Sequence, residues 1–345
     1  MGNNVTPSQD AQPPEESSIL ASLQELEQRR QAGDLAALAE GCLRVAQACV
    51  ARGSLRRALG LYEEALKAFE ALDNQAAQLA CLKNLAGICY REGAWNRALE
   101  MYQRVLDLLA ACADRAELAL VYSQIGSVHQ GQGDWQKAVE SYRRSLSIRE
   151  ELVDIRGMAL LHNNLGAVFA RQERWEEAQQ AWSQCLDLHK QTGDLPGQAI
   201  TLGNLGNLAQ RQHNWTDALA WYERSLAAYR DASDPLGEAT IWNNAGYVHK
   251  HLGQLDQALA AYREGLMLLQ KMGDPLRASV TMYNMAMIHE DLGNYREALR
   301  LLEQVVDLDR RIGHPDLRRD IETFRRVRQE LDTERDASRI REEQA

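Results

Sequence analysis

The sequence predicts an all-α protein built as a solenoid of stacked helix hairpins, and three observations predict it. Ala58, Ala98, Ala138, Ala178, Ala218, Ala258 and Ala298 recur every 40 residues through seven repeats without an insertion or deletion. Twelve residues before each alanine stands another small residue: Ala46, Ala86, Gly126, Gly166, Gly206, Gly246 or Ala286. Between the two, Gly53, Gly93, Gly133, Gly253 and Gly293 sit where a helix ends on a left-handed residue. A fixed period of this length marks a repeat architecture in which each hairpin buries its apolar face only by stacking on its neighbours.

The elements follow in order. Residues 1–18, with Pro7, Pro13 and Pro14 and few apolar side chains, are expected to form a disordered tail. Residues 19–33 are expected to form a helix; its Leu26 lies one period before Leu66. The seven repeats occupy 34–313 and open on Asp34, Asn74, Asp114, Asp154, Asp194, Asp234 and Asp274, whose side chains can accept bonds from free N-terminal amides. Pro235 and Pro275 follow two of them at the first helical position, where a proline loses nothing. The first helix of each repeat, helix A, carries the small residue that lets another helix cross closely. Helix B carries the alanine, then Tyr62, Tyr102, Tyr142, Trp182, Tyr222, Tyr262 or Leu302 four residues on, and Leu66, Leu106, Leu146, Leu186, Leu226, Leu266 or Val306 after eight. Spacings of four and eight place all three on one face. In 314–345, Leu317, Ile321, Phe324, Val327 and Leu331 make an amphipathic helix crowded with charge, expected to cap the last repeat and run into a tail.

A formal charge of −10 argues against a nucleic-acid partner held through its phosphates, and no apolar run is long enough for a membrane span. The expected location is cytoplasmic, with Cys42, Cys49, Cys81, Cys89, Cys112 and Cys185 as reduced thiols in apolar helical contexts without a CxxC pair. There is no Gly-rich phosphate loop, HExxH, GxSxG or zinc-spaced cysteine pair, so the chain reads as a non-enzyme with no cofactor and no metal. His129, His249 and His289 share one repeat slot, and Trp95, Trp135, Trp175 and Trp215 another; both are read as packing positions.

Together the small residue of helix A, the alanine of helix B and the ring four residues later resemble the tetratricopeptide repeat. The 40-residue length and the runs Asn164-Leu165-Gly166 and Asn204-Leu205-Gly206 are similar to the subgroup of the Leu-Gly-Asn repeat protein and kinesin light chain, and to many bacterial signalling arrays. The resemblance implies a right-handed superhelical α-solenoid of seven such hairpins whose helix A layer lines a concave face. On that layer one slot reads Arg44, Asn84, Gln124, Asn164, Asn204, Asn244 and Asn284. Asparagine costs about 0.5 kcal/mol against alanine mid-helix, and its carboxamide both donates and accepts. The row therefore reads as a grip on the backbone of a partner peptide, the competing reading being that each amide pins one repeat to the next. The resemblance places Lys83, Asn163, Asn207, Asn243, Tyr247 and Tyr283 beside the row, with Arg91, Arg171, Arg211, Lys250 and His251 near the end of helix A and Glu290 and Asp291 in their place in the last repeat. The expected partner is a protein or peptide, favouring an acidic segment or a terminal carboxylate. The leading function is a scaffold or adaptor. One alternative is a regulatory or sensor subunit that controls a partner enzyme or transcription factor by rearrangement; another is a self-assembling protein joined through its C-terminal helix.

Overall fold

The computed structural model describes residues 14–112 and 114–344, with side chains over 21–110 and 114–337. Residues 1–13 of the expected tail, the Cys112 side chain and the side chains past 337 lie outside this range. Sixteen α-helices, and no strand, are found among the described residues. They divide into two compact bodies, one ending at Asp154 and the other starting at Ile155.

The first body holds α1 (Pro14–Ala32), α2 (Leu35–Ala51), α3 (Leu55–Ala71), α4 (Gln75–Arg91), α5 (Trp95–Cys112), α6 (Arg115–Gln132) and α7 (Trp135–Glu151). The second holds α8 (Ile155–Arg171), α9 (Trp175–Thr192), α10 (Leu195–Arg211), α11 (Trp215–Asp231), α12 (Pro235–His251), α13 (Leu255–Met272), α14 (Pro275–Asp291), α15 (Tyr295–Ile312) and α16 (Leu317–Gln344). Helix α1 opens at Pro14, inside the segment expected as a tail. Even-numbered helices from α2 to α14 are the A helices and odd-numbered ones from α3 to α15 the B helices. Each A helix packs most extensively on the B helix that follows it.

Local chemistry sets these boundaries. Asp34, Asn74 and Asp114 in the first body, and Asp194, Asp234 and Asp274 in the second, each accept a backbone N–H two or three residues on. The glycines between A and B adopt φ of 71 to 78° at Gly53, Gly93, Gly133, Gly253 and Gly293. Where the repeat lacks glycine the turn is kept: Glu173 and His213 adopt φ of 59°. The B-to-A turns do the same, on Gly33, Gly193 and Gly273 or, at non-glycine residues, on Asp73, Val153 and Ser233.

The small residue of helix A and the ring of helix B are two halves of one contact. A methyl built on Gly126, Gly166, Gly206 or Gly246 would lie 2.4 to 2.9 Å from the ring of Tyr142, Trp182, Tyr222 or Tyr262. The rings of Tyr62, Tyr142, Tyr222 and Tyr262 are fully buried, and burial pushes the Tyr62 and Tyr262 hydroxyls up to about 12. Buried hydroxyls tie the layers together: Ser145 donates to the Ala119 carbonyl (2.6 Å) and Ser225 to that of Ala199 (2.8 Å). No helix among the described residues is long and apolar enough to cross a membrane. Five cysteines, Cys42, Cys49, Cys81, Cys89 and Cys185, are free and buried.

Candidate partner-binding face

In the second body α8, α10, α12 and α14 present side chains to solvent from positions four apart, which share a helix face. They read Leu160 with Asn164, Ile200 with Asn204, Thr240 with Asn244, and Val280 with Asn284. The aliphatic members are about half exposed, at 51% for Leu160, 48% for Ile200 and 45% for Val280. An exposed aliphatic recurring at one repeat slot beside a row of amides is apolar surface that a partner can cover. Sequence reasoning, which searched this face for polar groups, missed it. The signal was present: Leu120, Leu160, Ile200 and Val280 recur at one slot, six residues before the small residue and about 120° around the helix from it.

The asparagine row divides into pinned and open members. Asn204 donates to Asn163 Oδ1 (3.0 Å), which also accepts the Trp182 indole N–H (3.2 Å), so this amide joins α8, α9 and α10. Asn244 donates to Asn207 Oδ1 (3.1 Å), whose other neighbour is the Tyr222 hydroxyl at 2.7 Å. Asn243 donates to the Ala239 carbonyl (2.9 Å) and accepts from Thr281 (2.9 Å). The bonds from Asn204 to Asn163, from Asn244 to Asn207 and from Thr281 to Asn243 join neighbouring repeats, whereas the Asn243 bond to Ala239 stays within α12. Asn164 and Asn284 have no hydrogen-bond partner among the described residues and stay half-buried on the same face. In the first body Asn84 bonds back to the Ala80 carbonyl (2.7 Å), Lys83 pairs with Glu117 (2.5 Å), Gln124 Oε1 is buried without a partner, and Arg44 is exposed.

The cations at the end of helix A are partly engaged inside the protein. Arg211 donates to the Ala170 carbonyl (2.8 Å) and lies over the Trp175 ring at 4.9 Å; His251 stacks on Trp215 at 4.8 Å and touches Tyr247 at 4.4 Å. The tryptophan of one repeat thus seats the last-turn residue of the next A helix, and Gly131 meets Trp95 in the same way in the first body. Lys250 pairs with Asp291 (2.9 Å), and Arg326 from α16 with Glu290. Glu290 and Asp291, the acids that stand in place of these cations in the last repeat, are thus each paired with a cation. Arg91 and Arg171 remain exposed. Tyr283 is partly covered by α16, with Arg319 4.7 Å over its ring and Thr323 3.4 Å from its hydroxyl. The histidine slot bonds within its own turn, His129 to Gln132 (3.2 Å) and His249 to Gln254 (2.7 Å); His289 Nδ1 is buried without a partner, and burial lowers its pKa.

Between α12 and α14 the face deepens into a cavity of about 520 Å³. Tyr247, Asn244, Val280, Asn284, His314 and Asp316 line it, and buried Tyr262 contributes to its wall. It joins apolar surface to an open amide, the pattern of a site for a side chain and the backbone that carries it.

A family model of the tetratricopeptide repeat matches residues 34–111, 78–151, 157–231 and 237–311, and a second matches 204–266. The chain belongs to the tetratricopeptide-repeat family. No curated protein sequence matches it significantly. Among solved structures, aspartyl phosphate phosphatase F from Bacillus subtilis is similar over 93% of this chain and 96% of its own, with a TM-score of 0.60 and 14% identity. BtubC (BKLC) from P. vanneervenii matches over 64% of this chain and 90% of its own, at a TM-score of 0.55 and 20% identity. A signal transduction ATPase with numerous domains and a tetratricopeptide-repeat sensor, from Pyrococcus horikoshii, matches over 92% of this chain and 50% of its own, at 0.63 and 14%. At these identities the likeness is one of fold.

Proposed function

We propose that the chain is a protein-interaction scaffold whose helix-A face in the second body takes a partner segment by its apolar side chains and its backbone. The observation that carries this is the half-exposed row of Leu160, Ile200 and Val280 running beside the asparagine row. Exposed aliphatics in register supply affinity by removing apolar area from water, about 25 cal/mol per Å². The open amides of Asn164 and Asn284 supply direction by pairing with peptide groups. The cavity beside Tyr247 receives the largest side chain of the segment. With Arg211 bonded to the Ala170 carbonyl and Lys250 paired with Asp291, apolar character outweighs charge in the selection of the partner.

The test is a peptide-display selection on immobilised protein, followed by fluorescence anisotropy of the selected peptide. Leu160→Glu, Ile200→Glu and Val280→Glu together should weaken binding at least a hundredfold while circular dichroism stays that of wild type. A folded triple variant with unchanged affinity places the binding surface elsewhere.

A further inference from the structure

At the end of the second body, α14, α15 and α16 enclose a polar cluster with a missing donor. Asp309, near the end of α15, is fully buried, and Asp320, in the first turn of α16, is 2% exposed. Asp309 Oδ1 accepts the Ser279 hydroxyl from α14, whereas Oδ2 is shielded from water and has no hydrogen-bond partner. A carboxylate oxygen of Asp320 lies within 4.8 Å of one of Asp309, and Asp320 Oδ1 accepts from Arg319 Nε (3.0 Å). His314 Nδ1 is 3.9 Å from Asp309 Oδ2, but it accepts the Asp316 backbone N–H at 3.0 Å. Its ring proton is then on Nε2, and its Nδ1 lone pair is already taken. Asp309, His314 and Asp320 place ligand-type atoms within 4.8 Å of one another, yet this histidine, as oriented, cannot add Nδ1 to a cation.

Two buried carboxylates this close do not both ionise without a large cost, and a buried acceptor without a donor costs about 1–3 kcal/mol. The charged and titratable groups around the pair are Arg319 on α16, His314 and Asp316 in the turn, and Tyr283 on α14; Arg319, the cation of the set, is paired with Asp320 and Asp316. We propose that Asp309 and Asp320 share one proton, which fastens the first turn of α16 to α14 and α15 and makes this docking a latch that acidification tightens. Burial, reinforced by the Asp309 carboxylate, pushes Asp320 up to about 6 from 3.8. The sign follows from that direction. The docked state binds the proton more tightly than the released state, so docking is strongest below about pH 4, weakens as pH climbs to about 6, and then levels off. The latch holds Thr323 and Arg319 on Tyr283. It also reaches the 520 Å³ cavity, which His314 and Asp316 of the preceding turn line. It stands on this cluster alone and does not depend on what the face binds.

Hydrogen exchange of the full chain, read by mass spectrometry at pH 5 and pH 7 and corrected for intrinsic exchange rates, tests it. Protection over residues 317–331 should fall about tenfold from pH 5 to pH 7, while α10 holds its protection as an internal check on the fold. In Asp320→Asn, whose amide donates at every pH, protection should not change between the two. In His314→Asn, which keeps an acceptor for the Asp316 amide but does not titrate, the tenfold change should persist. Equal protection of wild-type α16 at both pH values overturns the latch, as does a change that persists in Asp320→Asn and disappears in His314→Asn.

Discussion

Gly206→Ala puts the repeat contact to a quantitative trial. The added methyl would sit 2.4 Å from Tyr222 Cε1 and 2.5 Å from Cδ1, inside any tolerable carbon–carbon contact. Tyr222 is fully buried, and its hydroxyl lies 2.7 Å from Asn207 Oδ1 and 2.8 Å from Gln210 Oε1. It cannot retreat without disturbing both. Overpacking of this kind costs about 1–3 kcal/mol, and the better helix propensity of alanine returns about 1 kcal/mol. The net expectation is a loss of about 1 kcal/mol. Gly87→Ala is the control: it lies inside α4 with no atom within 4 Å of the new methyl, so only the propensity acts and the protein gains about 1 kcal/mol. Urea titrations followed by circular dichroism read both. If Gly206→Ala matches or exceeds wild type, the close approach of small residue and ring is not what holds the hairpin at its spacing.

Three further outcomes are expected. Val153→Gly should stabilise by about 1 kcal/mol in thermal unfolding, because a β-branched residue there holds φ of 54° while 73% exposed; a neutral or lower melting temperature refutes the strain. Burial pushes the Cys42 thiol up to about 12 and Cys81 up to about 11, so in a Cys112→Ser background the native protein should resist a thiol reagent at pH 8 and react fully in urea. The folded chain keeps thiol protons that the unfolded chain loses above about pH 8.5, so stability should fall as pH rises past that point. Arg211→Ala should cost about 1 kcal/mol through loss of the Ala170 carbonyl bond and the Trp175 stack, with Arg211→Lys recovering only part; no change in the urea midpoint would mean the contact carries nothing.

The fold was legible because its determinants are local and repeat. Asp34 or Asp274 caps a helix through atoms two or three residues away, and the 12- and 4-residue spacings put Gly206 opposite Tyr222 whatever the neighbouring repeat does. The left-handed turns at Asp73, Val153, Glu173, His213 and Ser233 carry no glycine, and only the repeat slot they share with Gly33 or Gly53 points to them. The candidate face was legible as a row of amides, but not in how those amides divide. Whether Asn204 reaches Asn163, or Asn164 is left open, depends on the rotation between helices 41 residues apart in sequence. The aliphatic row was overlooked because its meaning lies in exposure, which residue type alone does not give. The Asp309–Asp320 contact depends on where α16 docks, which no period describes.

The central claim is that the helix-A face of the second body is where a partner sits. Site-specific photocrosslinking tests it most directly, with a photoreactive residue placed at Ile200, at Val280 or, as the opposing control, at Met267 of helix B, which is 43% exposed. The account predicts a crosslink to the display-selected peptide from positions 200 and 280 and none from 267. Crosslinking from 267 with positions 200 and 280 silent would contradict it.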